Sequence, residues 1–185
     1  MAMMTRVLPA LGFRTTAEFQ RAWALGPALK VDGVWGPQTA AAGALSLQNR
    51  LTGQGDLSEH FSAKEFWCRC GGTLAGCKKV SVHRGLLLSL ENLRQDQAPL
   101  RIVSGYRCPL HNKVVGGVGD SQHLYGTAAD IAPNLSYRQV KILGAFSGIG
   151  YLARTSRVCH VDRRDLSPHN PTKSSLQTPA MWKYS

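Results

Sequence analysis

Apolar positions recur along the chain in two rhythms, one near 3.6 residues and one near 2, and the changes between them mark out helices and strands. In "TTAEFQRAWALG" a threonine suited to capping a helix precedes Phe19, Trp23 and Leu25 at roughly helical spacing. "KVDGVWGPQTAAAGALSLQNRL" turns at Asp32-Gly33, and Pro37 suits the first turn of a second helix. The apolar side of that helix is expected to be Ala40, Ala44, Leu47 and Leu51. "TGQGDLSEHFS" breaks the rhythm and reads as a linker. Beyond it, "SAKEF" is a short capped helix, and "SVHRGLLLSLENLRQD" is an amphipathic helix with Leu86, Leu90 and Leu93 in register. "PLRIVSGYR" reads as a buried strand, "CPLHNKVVGG" as a helical turn ending on glycines, and "YRQVKILGAFS" as a helix. "GIGYLA" and "RVCHVDRR" look like two neighbouring strands.

Helices and strands mix without a regular strand–helix–strand repeat, which gives an α+β fold class. The expected division is a small all-α module over residues 1–52, a linker over 53–60, and an α+β domain over 61–185. A chain of 185 residues is long enough for one domain plus such a module, and 43% hydrophobic residues exclude wholesale disorder. No internal repeat or low-complexity tract interrupts it.

The formal charge of +11 favours polyanionic partners: nucleic acid, anionic lipid, or a bacterial envelope rich in carboxylates and phosphates. Charge alone does not choose among them. No stretch approaches the ~20 apolar residues of a membrane span. The start, "MAMMTRVLPALGFRTT", has a brief apolar run broken by proline and makes a poor secretory signal. The expected location is therefore the cytoplasm of the cell that makes the protein, until something else releases it. Five cysteines is an odd count, so a pure disulfide framework would leave one thiol over. In a reducing compartment a cysteine cluster favours metal binding.

The candidate chemistry begins at "SQHLYGTAAD", which sets His123 and Asp130 seven apart. On one helix they would sit about 10 Å apart, too far to share a metal ion. They meet only if the chain turns back, and Gly126 is where it can, leading into a short strand that carries Asp130. "RVCHVDRR" offers a third ligand: in a strand Val158, His160 and Asp162 share one face, while Cys159 and Val161 face the core. A His, Asp, His set with one open position suits a catalytic zinc, which lowers the pKa of a bound water to about 7. The competing reading of such a histidine is a structural residue satisfied by its neighbours. Cys68, Cys70, Cys77 and Cys108 could close a structural zinc site, form disulfides, or remain free thiols. His60, His83, His111 and His169 have no argued role.

Two resemblances sharpen this picture. Through Phe19-Gln20 and "VDGVWGPQTAAA" (residues 31–42), the first unit resembles the peptidoglycan-binding domain of cell-wall hydrolases, with a shorter N-terminal part than usual. "SGYRCPLHN", "SQHLYGTAADI" and "GIGYL…CHVDRR", in that order across roughly residues 57–165, resemble the zinc D-alanyl-D-alanine carboxypeptidase-like peptidases. These include phage L-alanyl-D-glutamate endopeptidases and share their fold with the Hedgehog signalling domain. The resemblance implies an antiparallel sheet with flanking helices, and zinc held by His123, Asp130 and His160. It implies that Arg107 binds a substrate carboxylate or carbonyl oxygen and that Ser121 sits at the rim.

One departure stands out. Where several members carry a Glu or His as general base just before the last zinc histidine, "YLARTSRVCH" has neither. Asp162 is then the nearest candidate base, unless it orients His160 instead. The implied function is zinc-dependent hydrolysis of an amide bond in the stem peptide or cross-link of peptidoglycan, by an endolysin of phage type. The implied partners are peptidoglycan and anionic envelope polymers, and the expected state is a monomer. A non-catalytic wall-binding protein is the alternative. A nucleic-acid binder is disfavoured, because no recognition helix rich in Arg or Lys is present.

Overall fold

A computed structural model describes residues 3–97, 99–132, 135–170 and 172–185. The chain opens with helix α1 (Met4–Leu11), which turns Val7, Leu8 and Leu11 inward and ends at Gly12 with φ 88°. This stretch had looked only like a weak leader, and Pro9, taken there as an interruption, lies inside the helix. Helix α2 (Thr16–Ala22) starts as expected, with Thr15 and Glu18 forming a reciprocal capping box.

Helix α3 (Pro37–Thr52) also starts where expected, with Gly36 as its cap and Pro37 in its first turn. Its buried face, however, is Thr39, Ala42, Gly43 and Ser46 rather than Ala40, Ala44, Leu47 and Leu51. Leu51 is 88% exposed. The reason is close packing: a Cβ on Gly43 would lie 2.9 Å from the Trp35 ring and 3.0 Å from a Val7 methyl. Only small residues permit that approach, so the large apolar residues do not mark the buried face. Buried Gln20 ties α2 to the 32–34 turn. Its Oε1 accepts from the amides of Asp32 and Gly33, while its Nε2 donates to Asp32 Oδ1, Val34 O and Thr39 Oγ1.

Within the stretch 53–60, read as a linker, residues 55–58 are packed while its two ends are exposed. Asp56, Leu57 and Ser58 are buried, and Asp56 accepts from the Ala63 amide at 2.7 Å and from Arg50 at 3.1 Å. One hydrophobic cluster runs from Val7 and Phe19 through Leu57 and Phe61 to Leu86, Leu90, Ile149 and Val161. The Trp67 indole N–H donates to Leu11 O at 3.0 Å, and Arg84 donates to Trp23 O at 2.9 Å.

Helix α4 (Arg84–Gln97) buries Leu86, Leu87, Leu90 and Leu93. These leucines share one hydrophobic cluster with residues of a five-stranded sheet of β1 (Ile102–Ser104), β2 (Ala128–Ile131), β3 (Gly148–Leu152), β4 (Val158–Asp162) and β5 (Ala180–Tyr184). The strand order is β1-β2-β4-β3-β5. The expected antiparallel pairing holds from β1 to β3, whereas β5 joins β3 in parallel. The segment foreseen as a long buried strand yields only β1, three half-buried residues. Helices α5 (Pro109–Val114) and α6 (Tyr137–Ile142) match their signals. Among the described residues no helix is long and apolar enough to cross a membrane.

Strand β4 departs from strict alternation. Gly150 pairs with His160 but Tyr151 pairs with Val158, so Cys159 is an extra residue in a bulge. The bulge sends Val158, with Val161, into the core and leaves Cys159 only half-buried, which corrects the expectation that Cys159 would pack there. His160 and Asp162 lie beyond the bulge and keep a common face.

Candidate metal centre

The register of the sheet builds the site. Ser104, Asp130, His160, Gly150 and Trp182 form one row across all five strands. Asp130 and His160 therefore stand directly opposite each other on β2 and β4. Gly150 leaves room beside them: a Cβ there would fall 2.7 Å from the Tyr184 ring and 2.8 Å from Trp182 Nε1. Trp182 thereby reaches across to His160, with ring centroids 5.2 Å apart.

His123 arrives from a different element. It sits in a 3-10 turn (Gln122–Tyr125) that Gly126 closes with φ 71°. A side chain at 126 would also strike the Ser81 carbonyl, so the glycine is required both by its backbone and by the space around it. The chain then enters β2, and this reversal is what brings His123 and Asp130 together.

Each histidine has one nitrogen tied and the other aimed at a point shared with Asp130. His123 Nδ1 lies 2.6 Å from the Gly105 carbonyl, which can only accept, so Nδ1 carries the hydrogen and Nε2 presents a lone pair. His160 Nε2 lies 3.2 Å from Asp162 Oδ2, which leaves Nδ1 as the inward atom. Those two nitrogens are 3.2 Å apart, and Asp130 Oδ1 is 3.1 Å from the first and 2.8 Å from the second. Ligand atoms about 2.0–2.1 Å from a tetrahedral zinc are about 3.3 Å from one another. Three converging acceptors at this spacing repel unless a cation or a proton lies between them.

The titration behaviour carries the same message. Burial pushes His123 below its ordinary value. Burial also disfavours charge on His160, but hydrogen bonds and charge from Asp130 and Asp162 outweigh it and raise that histidine to about 9. Burial alone would raise Asp130, yet the two histidines hold its carboxyl well below the usual carboxylate range. A divalent cation would satisfy all three without that proton on His160, so the donor set fits zinc.

Asp162 is fully buried and fully engaged. Arg164 donates from Nε to Oδ1 at 2.9 Å and from Nη2 to Oδ2 at 2.6 Å, while its amide reaches Oδ1 at 3.1 Å. Burial opposes the charge, but the bonds from His160 and Arg164 prevail and bring the carboxyl down to about 2. Of the two roles expected for Asp162, this geometry matches a group that orients His160.

A cleft of about 530 Å³ opens over these residues, with Arg107, Ser121, Asp120, Trp182 and Tyr184 on its walls. Arg107 Nη2 stands 4.0 Å from Asp130 Oδ2, and its buried Nε has no hydrogen-bond partner among the described residues. Ser121 caps the 3-10 turn at the rim. His60 instead pairs with Glu91 at 2.7 Å and His169 with Asp120 at 3.3 Å, and neither joins the ligand set. The sulfurs of Cys68, Cys70, Cys77 and Cys108 converge at a second point.

Sequence reasoning missed Trp182, Tyr184 and Arg164. The alternation in "AMWKY" was a usable strand signal for the first two. Arg164 carried none beyond its place after Asp162.

Two histidines and a carboxylate converge beneath a cleft in a mixed α+β fold, a donor set that could hold the metal of a metallopeptidase. Residues 59–162, more than half of the chain, match the model of the Peptidase M15 family, and the chain belongs to that family. The matched span holds all three candidate ligands, Arg107 and the four clustered cysteines. No curated protein matches the chain.

Proposed function

We propose that this protein is a zinc-dependent peptidase that hydrolyses an amide bond in the stem peptide or cross-link of bacterial peptidoglycan. The observation that carries the reading is the convergence of His123 Nε2, Asp130 Oδ1 and His160 Nδ1 within 3.2 Å of one another. Zinc at that point would polarise a carbonyl and supply a water acidified to a pKa of about 7. The chain's own residues do the rest. Arg107 binds the substrate carboxylate or the oxygen on which negative charge develops. Asp162 fixes the tautomer and tilt of His160, and Trp182 walls the far side of the cleft. With Asp162 held by His160 and Arg164, Asp120, half-exposed on the cleft wall beside His169, is assigned as proton acceptor.

The N-terminal 52 residues are assigned to wall retention, through the "VDGVWGPQTAAA" turn that Gln20 braces and an apolar groove lined by Trp23, Leu29, Ala41 and Leu45. A charge of +11 would strengthen the hold on anionic envelope polymers. In this reading the protein is a monomeric endolysin of phage type, which accumulates in the host cytoplasm until released to the wall. A second reading, a wall-binding protein without activity, is favoured by the lack of a carboxylate or imidazole between Leu152 and Cys159. Incubating purified sacculi with the wild type and with His123→Ala separates the two. Clearing by the wild type alone supports the enzyme, whereas binding by both without clearing supports the alternative.

A further inference from the structure

We infer that Cys68, Cys70, Cys77 and Cys108 hold a second zinc ion as a closed tetrathiolate site, and that this site positions Arg107. The first three cysteines lie in a hairpin loop whose base is the Trp67–Val80 bridge and whose neck is the bond from the Cys68 amide to Lys79 O at 2.7 Å. Positive φ values at Gly71, Gly72, Gly76 and Lys79 curl this loop around its own sulfurs. Cys108 comes from elsewhere in the chain, directly after Arg107, and caps α5.

The spacing separates metal from disulfide. Cys70 Sγ lies 3.3 Å from Cys68 Sγ, 3.4 Å from Cys77 Sγ and 3.9 Å from Cys108 Sγ. Sulfurs bound about 2.3 Å from a tetrahedral zinc stand about 3.8 Å apart, whereas a disulfide requires about 2.05 Å. No pair stands out as a bonded couple, since Cys70 is near all three others. Backbone amides also aim at the sulfurs: Lys79 N at Cys77 (3.3 Å), His111 N at Cys108 (3.4 Å) and Cys108 N at Cys68 (3.4 Å). Such donors are strongest toward thiolates, the form that binds metal. Cys68, Cys77 and Cys108 are buried beside Tyr106 and Leu74. Closing the site needs no oxidant: four thiols release four protons as four sulfur–zinc bonds form. The fifth cysteine, Cys159, sits on β4 and accounts for the odd count.

With all four positions filled by protein, the site has no place for substrate, which marks it as structural. Its effect is to fasten the 67–80 hairpin to the segment where Arg107 N bonds His123 O at 3.2 Å and α5 begins. Arg107 directly precedes the ligand Cys108, and its amide bonds the carbonyl of His123, so its backbone is tied to both sites. The positioning role rests on the peptidase reading above, while the metal site itself does not.

The test is metal analysis of the full chain, followed by cobalt substitution. The wild type should carry two zinc ions per chain, and His123→Ala/His160→Ala should keep one. The cobalt form of that histidine variant should show intense thiolate-to-cobalt charge-transfer absorption, which stands whether or not cysteine variants fold. One zinc in the wild type and none in the histidine variant would overturn the site. So would an intact mass lowered by two hydrogens for each sulfur–sulfur bond. Cys70→Ser/Cys77→Ser, where it folds, should keep the histidine-site zinc and raise KM severalfold more than it lowers kcat. An unchanged KM in the folded variant would overturn the positioning of Arg107, and would do so even with both zinc ions confirmed.

Discussion

His160 and Asp162, two residues apart on β4, share a face beyond the Cys159 bulge, and the Asp162 carboxylate lies 3.2 Å from His160 Nε2 with Arg164 gripping both its oxygens. Asp162→Asn should therefore act on the metal. Zinc affinity should fall about 10–100-fold, with activity restored by excess zinc. A chelator competition measured alongside turnover checks this. Normal affinity with a large loss of kcat would instead make Asp162 a proton-transfer group.

The raised pKa of His160, about 9, makes zinc uptake at the His123, Asp130, His160 site pH-dependent. Below that value the proton favoured by Asp130 and Asp162 competes with the metal. Apparent affinity should then weaken about tenfold per pH unit on acidification and level off above about pH 9. In Asp162→Asn one cause of the raised pKa is gone, so the plateau should begin at lower pH. Zinc titrations of both proteins across pH give the comparison, and a plateau that does not move would contradict it.

Gly150→Ala should displace β5, because the new methyl meets Trp182 and Tyr184 within 3 Å. The expected cost is about 1–3 kcal/mol, as for other overpacked sites, seen in denaturant unfolding. The Trp182 wall should move away from His160, with loss of activity at unchanged zinc content. A variant of wild-type stability and rate would show that β5 does not close the cleft.

Leu11 is fully buried in the cluster that also holds Leu90 and Val161. Leu11→Ala should cost about 2–5 kcal/mol and lower one unfolding transition common to the whole chain. Two separate transitions, with only the weaker one shifted, would show that the N-terminal helices unfold independently.

The convergence of His123, Asp130 and His160 was legible only in part from local pattern, through one glycine-guided reversal and one strand, and the family resemblance supplied the rest. Gly126 turns His123 onto the strand of Asp130, and His160 lies two residues before Asp162 in a run with strand character. What was not legible depended on partners distant in the chain. The buried face of α3 follows from Trp35 and Val7 pressing on Gly43, which no count of large apolar residues reveals. The bulge at Cys159 follows from its register against β3, and the role of Trp182 from a parallel pairing with β3. The stretch 53–60 has the composition of a linker, yet its middle, residues 55–58, is buried, with Asp56 held by Arg50 and the Ala63 amide.

The most direct test is mass analysis of the soluble products released from purified peptidoglycan by the zinc-loaded full chain, with and without a chelator. The expected result is fragments that carry one added water across a single type of stem-peptide or cross-link amide, lost on chelation and regained with zinc. Intact stem peptides and cross-links after exposure to fully zinc-loaded protein would contradict a peptidase acting on this wall polymer.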